Sequence, residues 1–239
     1  LIETPLPHEF CVQLELRADD DWGTSYRIID QLGDLVAVKA HRRLSSSAMN
    51  ASRLAAFFIL VASATASAQI PVTKEPHHRV VFENSQFRIL DVDLPPGEKT
   101  LDHSHDRDVV TISMSSGAEV KSQSAGQSLT DRPRRPVGDI ETTEYSGKPA
   151  THSFQTVGST PYHLFAVENL KPSGWSSTPA VSAAGTTLAK ESRSFRVYNI
   201  ALNKERTQTS HTHAVPTIVV LVSGKVMSEG PDEKAKANA

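Results

Sequence analysis

The stretch that decides the fold is residues 97–117, GEKTLDHSHDRDVVTISMSSG, with His103-Ser104-His105 at its centre. In a β-strand, residues two apart point to the same face, so a strand here aims both imidazoles at one point. Imidazole nitrogen is the commonest protein ligand for transition metals. The flanks favour strands. Phe87, Ile89, Leu90, Val92 and Leu94 lead into the turn Pro95-Pro96-Gly97, and Val109-Val110-Thr111-Ile112 is β-branched throughout.

The pattern recurs further along the chain. With Glu83 set on Glu191, Phe87-Arg88-Ile89 falls on Phe195-Arg196-Val197, Val92 on Ile200, and Leu94 on Leu202. His103-Ser104-His105 falls on His211-Thr212-His213 without a gap, and the run from Val110 to Met114 resembles that from Ile218 to Val222. An offset of 108 residues is too long for a solenoid and suits a duplicated small β domain. A lone His-x-His is weak evidence, but the same pair at the same place in two copies of a strand pattern is much stronger.

Gly97, five residues, His103-x-His105, a short gap, a β-branched strand and Gly117 together resemble the first motif of the cupin family. Residues 147–154, GKPATHSF, resemble its second motif, in which a histidine, here His152, begins a strand. The resemblance covers about residues 76–169 and, for the first half of a second copy, about residues 188–227. It implies an all-β fold: a double-stranded β-helix (cupin, or jelly-roll) barrel plus a partial second copy. It also implies metal ligation by His103, His105 and His152, and by His211 and His213 in the second copy.

Two departures bear on that ligand set. The family's usual Glu stands seven residues before the closing Gly, where this chain has Val110 in the first copy and Thr217 in the second. Asp108 shares parity with Val110 and is the nearest replacement; the plainer reading makes it a solvated loop acid within Asp106-Arg107-Asp108. In the second copy Glu205 replaces the motif's opening glycine, Gly97 in the first.

Three neutral imidazoles with open positions make a reactive metal centre rather than a closed structural one. With a carboxylate the set suits Fe, Mn or Ni; without one it suits Zn or Cu. Ordinary imidazoles titrate at about 6.5, so metal occupancy is expected to fall below about pH 6. The alternative is a set of buried, hydrogen-bonded barrel histidines with no metal. His77, His78 and His163 have no partner pattern and read as surface or edge residues.

The chain has 239 residues and a net charge of −2, which points neither to nucleic acid nor to an anionic membrane as partner. Fourteen prolines and twelve glycines favour a turn-rich β protein. Residues 1–48 fit poorly with the rest of the chain and hold the one cysteine, Cys11. Residues 49–68 run from a basic start through a short apolar core to Ala66-Ser67-Ala68, the order of a secretory signal peptide. Translation is therefore expected to begin at Met49, with a secreted or periplasmic chain starting at Gln69 and no membrane contact after cleavage.

Cupin domain 1 is expected over residues 69–170, a linker over 171–187 and a partial second domain over 188–239. The arginines of residues 131–137 read as a solvated face, with an anion clamp as the minority view. A partner for His152 in the second copy would fall beyond Ala239, so the second copy is expected to be truncated; were that end natural, the half-barrel would be expected to pack on the first barrel or pair with another chain as a homodimer. Two function classes follow from the resemblance. One is a metal-dependent enzyme, similar to cupin dioxygenases or isomerases, acting on a small molecule. The other is a binding module for a sugar, organic acid or metal.

Overall fold

The computed structural model describes residues 9–16, 26–29, 35–38, 69–172, 180–202 and 215–224. The signal-like segment 49–68 and the pair His211 and His213 lie outside the described residues. In chain order the strands are β1 Glu9–Leu16, β2 Tyr26–Ile29, β3 Leu35–Val38, β4 Ile70–Pro71, β5 His78–Glu83, β6 Phe87–Leu94, β7 His103–His105 and β8 Asp108–Ser113. They continue as β9 Val120–Ser124, β10 Thr130–Asp131, β11 Ile140–Thr143, β12 Ala150–Thr156, β13 Tyr162–Asn169, β14 Thr186–Glu191, β15 Phe195–Leu202 and β16 Thr217–Ser223. A single 3₁₀ turn, Val72–Lys74, is the one helical element among the described residues, and no helix there is long and apolar enough to cross a membrane.

Two five-stranded sheets form the barrel, in the orders β10-β9-β12-β7-β4 and β11-β8-β13-β6-β5. Every pairing in them is antiparallel except that of β4 with β7. The turn into the histidine strand is closed by the Glu98 N–H donating to the Pro95 carbonyl at 3.2 Å, and Gly97 takes φ +81° there, a conformation that favours glycine.

The two faces of the second sheet explain a pattern that does not alternate cleanly. Along β6, β8 and β13, Leu90, Val92, Leu94, Val109, Leu164 and Ala166 point into the barrel. Ile89, Val110, Ile112, Phe165 and Val167 point out of it, against Phe195, Val197, Ile218, Val220 and Val222 of β15 and β16. Strands buried on both faces read as continuous apolar runs. Burying each large side chain contributes about 1.5–3 kcal/mol, so this shared outer core ties the repeat copy firmly to the barrel.

The third sheet runs β14-β15-β1-β16-β2-β3. Its first four strands follow the order of the barrel sheet, β5-β6-β13-β8-β11, with β15 standing for β6 and β16 for β8; beyond them β2 runs parallel to β16, where β11 is antiparallel to β8, and β3 is additional. The place between the two matched strands, held in the barrel by β13, is filled by β1. Both β13 and β1 lie antiparallel to their two neighbours. Residues 9–16, expected to be foreign to the rest, thus supply the strand that the repeat copy lacks. The last difference from expectation is small: β14 begins at Thr186, inside the span read as a linker.

Candidate metal centre

Register brings the histidines together. β7 and β12 pair so that His103 lies opposite His152 and His105 opposite Ala150. Directly opposed residues have neighbouring side chains, and the alternation along β7 turns His103 and His105 to the same side. Ring centres are 4.8 Å apart for His103 and His152, 5.1 Å for His103 and His105, and 4.9 Å for His105 and His152. One ligand atom from each lies within 4.8 Å of the others.

Hydrogen bonding shows what the rings have left to offer. His103 Nδ1 donates to the Leu101 carbonyl at 2.8 Å, which fixes the tautomer and leaves a lone pair on Nε2. That Nε2, the Nε2 of His152 and the Nδ1 of His105 are buried without a hydrogen-bond partner. Unpaired buried polar atoms are costly, and three of them, one on each of three clustered rings, are what a bound ion would satisfy. A cation fits, because a neutral imidazole nitrogen offers it a lone pair. Burial, followed by the neighbouring His78 charge, lowers the pKa of His103 to about 4 despite the bond to Leu101. Burial, followed by His105 and His103, lowers that of His152 to about 2.

His105 and His152 line a pocket of about 530 Å³, a volume that includes the open space at its mouth. Val92, Val109, Leu164 and Ala166 give it an apolar floor, and Tyr145, Tyr162, Arg132 and Glu141 add polar groups. Tyr145 stacks on His105 with ring centres 5.0 Å apart and planes at 19°. Glu168, from β13, points inward, with Oε1 3.8 Å from His105 Nδ1 and Oε2 accepting from Arg88 Nη1 at 2.6 Å. The ion pair holds that carboxylate beside the cluster.

Asp108 is drawn elsewhere. It is buried, but it shares parity with Val110, which faces the repeat copy and not the pocket. Its carboxylate takes the Ser146 N–H at 2.8 Å, Arg193 Nη2 at 3.0 Å and the Ser194 hydroxyl. Burial alone would raise its pKa; the bonds from Ser194, Ser146 and Arg193 bring it below the ordinary carboxylate range. Val110, where the resemblance expects a Glu, faces the repeat copy, and its inward neighbour is Val109, so neither puts a carboxylate in the pocket.

Two further expectations change. His78 stands on the edge strand β5, as expected, but it is buried against the trio rather than exposed, its ring centre 4.5 Å from that of His103. The arginines of residues 131–137 divide. Arg134 is exposed and pairs with Glu119. Arg135 is half-buried and bonds to Thr111 and Asp139. Arg132 reaches the pocket, gripping Glu141 through Nη2 at 2.9 Å and lying 5.5 Å from the Phe154 ring centre. No sequence signal marks these; they follow from β11 carrying Glu141 alongside β8.

The two facing five-stranded sheets make a double-stranded β-helix barrel, the fold that the histidine motifs imply. No family model and no curated protein matches the sequence. Among solved structures, the chain is similar to a cupin domain from Bordetella pertussis Tohama I, at 18% identity and TM-score 0.34, covering 38% of this chain and 90% of that one. A cupin-family protein with a double-stranded β-helix fold from Methanocaldococcus jannaschii is similar at 16% identity and TM-score 0.31, over 46% of this chain and 86% of that one. A DMSP lyase from Ruegeria pomeroyi is similar at 15% identity and TM-score 0.28, over 36% and 39%.

Proposed function

We propose that this barrel binds one divalent transition metal through His103, His105 and His152 and acts on a small molecule in the adjoining pocket. The observation that carries the reading is the clustering of three rings, each with a buried nitrogen without a partner. A bound Zn, Cu, Fe, Mn or Ni ion would supply a Lewis acid or an oxygen activator, and an all-nitrogen set favours the first two. The chain's own residues do the rest. Leu101 holds the His103 tautomer, Tyr145 fixes the plane of His105, and the apolar floor excludes water from one side of a ligand. Arg132 and Glu141, locked together, offer a polar rim on which a small ligand is oriented.

A second reading is a binding barrel without turnover. Val110 favours it, because the position of the expected carboxylate is apolar and turned out of the barrel, and its inward neighbour Val109 is apolar too. The test is metal content by plasma mass spectrometry on the full chain, with His105→Ala beside it. About one ion per chain, lost in the variant, is expected. No metal in either protein after reconstitution would overturn the metal reading and leave the binding barrel. Export through residues 49–68 belongs to the same proposal, and N-terminal sequencing of the natural protein tests it: a start at Gln69 supports it and an intact residue 1 sinks it.

A further inference from the structure

The barrel interior contains a fourth imidazole that the motif pattern does not predict. His78 opens β5 and pairs in register with Val92, whose side chain points into the barrel, so His78 shares that face. It is buried and lines the same pocket as His105 and His152. Its Nδ1 lies 2.5 Å from Glu75 Oε2. Glu75 ends the 3₁₀ turn before β5, and its side chain is fully buried. Burial would raise the Glu75 pKa; the bond and charge of His78 and the N–H groups of Leu101 and His77 bring it below the ordinary range.

An ionised carboxylate only accepts hydrogen bonds, so His78 Nδ1 carries the proton and Nε2 keeps its lone pair. This is the arrangement of a metal-ligating histidine, whose second nitrogen donates to a carboxylate that orients the ring and raises its basicity. Glu75 also serves His103. Its Oε1 accepts the Leu101 N–H at 3.2 Å, and the Leu101 carbonyl accepts from His103 Nδ1. One buried carboxylate therefore orients two imidazoles, one directly and one through a peptide group.

The spacing allows a common ion. With nitrogen–metal bonds of about 2.1 Å and ring centres about 1.2 Å beyond, two imidazoles on one ion have centres about 4.5–6.5 Å apart. His78 lies 4.5 Å from His103 and 6.4 Å from His105 by this measure, the spacing of neighbouring and of opposed ligands. His78 stands outside the group of atoms within 4.8 Å of one another, so it must close in on the ion. On the reading of a metal bound by the His103, His105 and His152 trio, we infer that His78, oriented by Glu75, is a fourth nitrogen donor, replacing the carboxylate that neither Val110 nor its inward neighbour Val109 provides.

The test loads the full chain with Co(II) alone, counts imidazole ligands by X-ray absorption, and measures affinity by competition with a chelator. Wild type is expected to show four imidazoles. His78→Ala should show three and bind on the order of a hundredfold more weakly, and Glu75→Gln about tenfold more weakly, while both keep the far-ultraviolet circular dichroism of a β protein. His78→Gln guards against a packing defect, because it fills the space with a poor ligand and should weaken binding as His78→Ala does. Three imidazoles in wild type, or unchanged affinity in both His78 variants, overturns the inference and leaves the trio standing. A wild type that takes up no cobalt overturns the trio as well.

Discussion

The barrel sheet and the repeat sheet share the order of their first four strands, but they obtain the strand between the two matched ones differently. In the barrel, β13 follows β12 across a short turn and pairs with β6 and β8, all within residues 87–169. In the repeat copy, β1 comes from the other end of the chain, about 180 residues from β15 in sequence, and pairs with β15 and β16. A strand joined by a short connection costs little loop entropy to place, and one joined by a long connection costs more. The barrel sheet therefore finds its strand partners close by in sequence, while the repeat sheet depends on a strand whose connection to it is long.

Removing residues 1–68 tests that difference most severely. Without β1, the edges of β15 and β16 lose their shared partner, whereas every barrel strand keeps its own. Amides of Phe195–Leu202 and Thr217–Ser223 should exchange at least about a hundredfold faster, while those of Phe87–Leu94 and Tyr162–Asn169 stay protected until global unfolding. The outer core is shared, so the whole chain should also lose several kcal/mol, about 1.5–3 kcal/mol for each large side chain uncovered. Retained protection in β15 and β16 would break the comparison. It bears directly on export, because cleavage before Gln69 would remove β1.

Acid should act on the barrel instead. The His103 pKa is about 4 when folded against 6.5 as its ordinary value, so between those values the unfolded chain binds more protons. Stability of the metal-free barrel is then complete above about pH 6.5 and falls as the pH drops toward 4. His103 alone accounts for about 3 kcal/mol at about 1.4 kcal/mol per pKa unit. His152 extends the fall toward pH 2. Urea melts of metal-free protein at pH 7 and pH 4.5 measure this, and equal midpoints would contradict the burial of these rings. The same shift moves proton competition for the metal below the pH 6 expected of ordinary imidazoles.

Much of the barrel was legible because its signals are local. The β-branched run 109–112, the Pro-Pro-Gly turn and the His-x-His spacing each act within a few residues, and His152 follows a turn of its own. The outward face of β8 was not legible. Asp108 has the parity of Val110, but which face that parity selects depends on where β15 packs, a contact with residues far along the chain. His78 was missed for a similar reason: its neighbour His77 masks the alternation, and its place follows from pairing with Val92. A carboxylate three residues before the histidine, Glu75 before His78, was the one trace available. Cys11 and its surroundings looked foreign because β1 has no neighbour in sequence to pair with.

Asp108 is where the two regions meet, and it sharpens the comparison by the smallest step. It lies in the barrel, yet its carboxylate is bound by Ser194 and Arg193 from the repeat copy as well as by Ser146. Asp108→Asn keeps the shape and removes the charge, turning an amide toward groups that donate. The loss should be about 1–3 kcal/mol, mostly from the buried bonds to Ser146 and Ser194. Arg193 is exposed to solvent, which screens its charge, so a double-mutant cycle with Arg193→Ala should leave most of that loss in place. Metal content should not change. Loss of the ion in Asp108→Asn would return Asp108 to the ligand set; loss of stability alone makes it the joint between a barrel sheet whose strand partners are close by in sequence and a repeat sheet that depends on a distant one.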